Sequence, residues 1–126
     1  MKTYRGILFL AFMALTACDK PVFKYNSDFE GTWRTIQVYD SVLQYITMSE
    51  LIIDGADGSY KNSCAICSAE LCNCVSTQVG KAVVDNNRTH MRMGSNGYPL
   101  SIDEEPNVDG NGNWTMKIQG QRFYKQ

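Results

Sequence analysis

Cys64, Cys67, Cys72 and Cys74 stand within eleven residues in the spacing C-x2-C-x4-C-x-C. Thiols so placed can do three kinds of chemistry. They can pair as two disulfides, which an even number favours in an oxidising compartment. They can give four thiolates to a tetrahedral zinc ion. C-x2-C is a standard half-site for that metal, but C-x-C is cramped, because alternate strand residues share a face without curling round an ion. Cys64 and Cys67 can also form a redox pair, whose thiolate is best supported at a helix N-terminus. No long helix is expected there, so disulfides come first and neither a metal nor a cofactor is expected. Cys72 and Cys74 lie too close to bond each other without strain. Each then reaches back, with Cys64–Cys72 and Cys67–Cys74 favoured and Cys64–Cys74 with Cys67–Cys72 left open.

Other groups carry weaker signals. His90, the single histidine, sits between Arg88 and Arg92 on the polar face of a strand, which suits a surface residue better than a metal ligand. Asp103-Glu104-Glu105 and Asp109 resemble acid–base or calcium clusters in type, but they border a turn and read as solvated. Met91, Met93 and Met116 fall on apolar faces and read as core filler. No Ser/His/Asp set, phosphate-cradling glycine loop or HExxH occurs, and no catalytic residue is assigned.

The elements that must hold these residues begin at the N-terminus. Lys2 and Arg5 precede an apolar run from Gly6 to Leu15, followed by Leu15-Thr16-Ala17-Cys18. This resembles the lipobox of bacterial lipoproteins, in which the leader is cut before the cysteine and the cysteine takes lipid. Residues 1–17 are thus expected to be a signal peptide, 18–28 a lipidated tether, and 29–126 one folded domain. Losing Lys2 and Arg5 leaves ten basic against 13 acidic residues, a formal charge of −3. Such a balance offers no basic stripe for nucleic acid. The resemblance places the protein in the cell envelope, held to the outer membrane by acyl chains on Cys18. Asp19-Lys20-Pro21-Val22-Phe23-Lys24 is not acidic overall, which tilts it toward the periplasm.

After Phe29 the chain reads as short strands of period two. Strands are expected over 31–39, 46–53, 59–64, 75–79, 81–85 (broken from the last at Gly80), 89–93, 98–102, 114–118 and 122–125. Asp54-Gly55-Ala56-Asp57-Gly58, Asn86-Asn87 and Asp109-Gly110-Asn111-Gly112-Asn113 supply turns. One apolar face per strand and short links predict an all-β antiparallel meander of about eight strands, curled into a small barrel or a tight sandwich.

Gly31-Thr32-Trp33 in the first strand and Arg122 in the last resemble the lipocalin and wider calycin signature. That resemblance implies a barrel closed at one end by Trp33, with Arg122 packed on the indole. Together with the Cys18 lipobox, the cysteine cluster and Asn113-Trp114-Thr115-Met116, it makes the chain similar to small lipocalin-like lipoproteins of Bacteroidetes-type bacteria. It implies a non-catalytic module that binds a small apolar or amphipathic ligand against Trp33, Tyr98, Trp114 and Met116. The rival readings are an accessory subunit of an envelope protein complex, marked by an exposed apolar patch, and a thiol redox protein.

Overall fold

The computed structural model describes residues 19–126. Cys18 and the leader lie outside the described residues. All strand pairings are antiparallel. The strands are β1 (Lys20–Pro21), β2 (Gly31–Arg34), β3 (Val38–Asp40), β4 (Tyr45–Asp54), β5 (Asp57–Cys67), β6 (Glu70–Val84), β7 (His90–Met93), β8 (Leu100–Val108), β9 (Trp114–Ile118) and β10 (Gln121–Lys125). A short helix, α1 (Val22–Tyr25), and a 3-10 turn (Ser27–Phe29) lie between β1 and β2.

Eight strands form a ring in the order β2-β4-β5-β6-β7-β8-β9-β10, which closes where β10 pairs with β2. The expected all-β meander is what the structure contains. Closure follows from the pattern: each strand offers one apolar face, and a ring buries all of them at once while removing sheet edges. Inward residues meet in register round the wall. Trp33 faces Leu51, Leu51 faces Tyr60, Val84 faces Met91, Met91 faces Leu100, and Met116 faces Phe123. These side chains, with Phe29 and Val22, fill the interior.

Several boundaries differ from the sequence reading. The expected strand 31–39 breaks after Arg34, so β3 is a separate strand that leaves the ring and, among the described residues, pairs only with β4. The expected break at Gly80 is absent. β6 runs through it at φ 142°, because Gly80 and Gly94 pass so closely that a Cβ on Gly80 would lie 2.6 Å from Gly94 Cα. The turn at Asn86-Asn87 takes its left-handed residue at Arg88, since Asp85 holds the loop by accepting from the N–H groups of Thr89 and His90. The expected tether is folded. Lys20 and Pro21 pair with Val84 and Val83, and Val22 is fully buried. An apolar Val-Phe pair beside Tyr25 gains more by covering one end of the ring than by staying in water.

Candidate functional site

At the end of the ring opposite the N-terminal segment, two hairpins run on beyond the wall. One is β3–β4, with Val38, Tyr39 and Asp40 opposite Thr47, Ile46 and Tyr45. The other is the far half of β5–β6, with Cys64 opposite Cys74 and Cys67 opposite Glu70. Thr47 and Met48 pair with Ala65 and Cys64, which joins the two into one projecting finger.

The finger is stapled by its cysteines. Cys64 bonds Cys74, and Cys67 bonds Cys72. This is the pairing left open in the sequence, not the favoured one. The reason is register: the β5–β6 hairpin sets Cys64 directly across from Cys74 and leaves Cys67 and Cys72 flanking the turn at Ser68-Ala69. Among the described residues no group of three or more His, Cys, Asp or Glu side chains could hold a metal ion.

The outer hairpin is apolar and wet. Ile36, Val38, Tyr39, Val42, Leu43, Tyr45 and Ile46 are each about half exposed or more, and Val42 at the tip is 87% exposed. The tip is nonetheless held in shape. Asp40 Oδ1 accepts from the backbone N–H groups of Val42 and Leu43 at 2.9 and 3.0 Å, and Gln44 N–H donates to Asp40 O at 2.7 Å.

Beneath β3 lies a groove of about 390 Å³. Ile36, Val38, Met48 and Tyr124 give it apolar walls. Its floor is polar and largely hydrogen-bonded within itself, with Gln121 Oε1 buried and unpartnered. Ser49 N–H donates to Thr35 Oγ1, Ser63 N–H donates to Ser49 Oγ, and Asn62 Oδ1 accepts from Ser49, Ser63 and Gln121. Sequence reasoning missed this network, because Thr35, Ser49, Asn62, Ser63 and Gln121 lie far apart in the chain and only the folded strands bring them together.

Of the expected lining residues, Trp33 and Met116 share the core, and Tyr98 and Trp114 do not join them there. Trp33 and Met116 are buried in the core, Tyr98 (40% exposed) and Trp114 (38% exposed) lie outside it, and none of the four lines the groove. Tyr98 precedes β8 and bonds Ser76 Oγ at 2.8 Å. Trp114 opens β9 opposite Val108, and Lys125 Nζ lies 5.6 Å from its ring centre. Arg122 is not the partner of Trp33. Phe123 takes the inward phase of β10, which turns Arg122 outward to Glu104 at 2.7 Å and to Thr115 Oγ1 at 3.3 Å. The hydrogen bond with Glu104 raises the Arg122 pKa, and it lowers that of Glu104. The cation over the Trp33 ring is Lys125, 5.4 Å from its centre and directly across in register. Trp33 Nε1 donates to Phe29 O at 2.8 Å, tying the indole to the N-terminal segment.

His90 shares Asp85 with Thr89: its Nδ1 lies 2.8 Å from Thr89 Oγ1 and 3.6 Å from Asp85 Oδ2. This arrangement closes a turn. Asp109 does the same for its own loop, accepting from Asn111 and Asn113. No helix among the described residues is long and apolar enough to cross a membrane. The chain matches no protein-family model, no curated protein and no solved structure.

Proposed function

We propose that this protein is a non-catalytic, lipid-anchored module of the cell envelope that works as an accessory subunit, docking through the β3–β4 finger. The observation that carries this reading is the exposed apolar hairpin, held rigid by Asp40 and braced by two disulfides. The anchor is Cys18, at the outer membrane and facing the periplasm. Because β1 is already docked, only Asp19 would separate the lipid from the folded body. The finger lies at the other end of β6, a strand of 15 residues, up to about 45 Å along the molecule at the usual rise per residue. The meander order and the placing of Trp33 support a lipocalin-like descent.

A second reading, capture of a small amphipathic ligand, is favoured by the groove under β3. Its apolar walls over a hydroxyl- and amide-rich floor suit a molecule with one polar end.

The test uses the full chain in its own membranes. Wild type is expected in the membrane fraction and in a native assembly larger than one chain. Val42→Asp with Leu43→Asp is expected to dissolve the assembly and leave membrane attachment intact. An assembly unchanged by that variant overturns the docking role. Cys18→Ala retained in the membrane fraction overturns the anchor. Photo-labelling of the groove by an amphipathic probe, lost in Met48→Lys, would favour the second reading.

A further inference from the structure

We infer that the partner on the finger is a second copy of this chain, joined edge to edge through β3 about a two-fold axis. The inference rests on the finger being the working surface. Its first support is the open edge. Among the described residues β3 pairs with β4 alone, and the groove lies beside it. An unpaired edge is a template for another strand, and native chains usually guard it with charge, proline or a bulge. Val38 and Tyr39 supply none of these and are more than half exposed.

The second support is charge. Between Arg34 and Glu50 the only charged residue is Asp40, and its carboxylate is engaged by Val42 and Leu43. A charged patch repels its own copy. This one is neutral enough to meet itself, and it gives a charged partner little to recognise. The third support is area. Seven half-exposed aliphatic and tyrosine side chains present on the order of 800 Å², the share each partner gives to a standard interface.

A closed two-fold is the commonest way for one chain to bury such a face. It makes the strand pairing antiparallel. With Tyr39 at the middle of β3, Tyr39 faces its own copy and Val38 faces Asp40. A two-fold along the membrane normal keeps both Cys18 anchors at one height, so the dimer lies along the bilayer.

Two differently tagged full-length chains, co-expressed and extracted in mild detergent, test this directly. Capture of one tag is expected to bring the other, with two chains per particle in sedimentation. Tyr39→Lys sets like charges opposite each other and is expected to weaken dimerisation about tenfold or more. Val79→Lys, on the exposed outer face of β6, is expected to leave it unchanged. Both side chains are exposed, so retained melting temperature and two intact disulfides certify the fold.

Single chains at every concentration, or capture indifferent to Tyr39→Lys, overturn the dimer. If single chains still enter a larger native assembly through the finger, the docking role stands and the second copy falls. If Cys18→Ala chains instead sediment with phosphatidylethanolamine–phosphatidylglycerol vesicles in a Tyr39-dependent way, the finger is a lipid contact and both fall.

Discussion

Trp33 meets a different cation from the one the resemblance implies. Its indole is buried, bonded to Phe29 O and covered by Lys125. Trp33→Ala is expected to lower stability by about 3–5 kcal/mol, as loss of a large buried aromatic does. In double-mutant cycles followed by chemical denaturation, Trp33 is expected to couple to Lys125 and to add independently with Arg122. Coupling to Arg122 would contradict the register read from β10. Tyr60 supplies the pH dependence. Burial, with Tyr98 adding to it, pushes its phenol from 10.0 up to about 12. A raised pKa means the folded state holds its proton longer than the unfolded chain. Stability is therefore full below pH 10 and falls between pH 10 and 12, by about 2–3 kcal/mol. Denaturant melts across that range are expected to show the fall in wild type and a flatter curve in Tyr60→Phe.

At the scale of elements, the stapled hairpin and the close crossing of β6 carry the local geometry. Cys64 is buried and Cys67 is exposed. Mild reductant is expected to open Cys67–Cys72 first, seen as one alkylated pair by intact mass before the second pair reacts. Cys64–Cys74 closes a separation of 10 residues against 5 for the other. In the chain-entropy account its loss costs about 2–3 kcal/mol, roughly 0.6 kcal/mol more than loss of the shorter loop. Gly94 has φ +76°, and a Cβ there would meet Val79 O at 2.5 Å. Gly94→Ala is expected to cost about 1–3 kcal/mol, from both backbone strain and displacement of the turn from β6.

For the whole molecule, the N-terminal segment belongs to the fold. Val22 and Phe29 are fully buried members of the core, and Asp19 bonds Arg92 at 2.8 Å. Val22→Ala is expected to cost about 2 kcal/mol, whereas a loose tether predicts no change in melting. Cys18→Ala is expected to release the protein from membranes with its melting temperature unchanged, because the substitution lies before the first docked residue.

Alternation of Thr89-His90-Met91-Arg92-Met93 and of Trp114-Thr115-Met116-Lys117-Ile118 was enough to assign strands and most inward faces. Period two is a local property, and a chain of short, one-faced strands has few ways to bury them all. Class, meander order and the inward places of Met91, Met93 and Met116 are therefore written in the sequence by itself. Which cysteines bond, which cation covers Trp33 and where the ring ends are not. Those depend on register between strands, and a shift of one residue exchanges the faces. Arg122 and Lys125 differ by three positions and so by face, and only the pairing of β10 with β2 decides between them. The folded tether and the bared finger depend on what the finished ring leaves uncovered. Burial is a property of the assembled surface, so Val22 could become core and Val42 could stay in water only once every strand was in place.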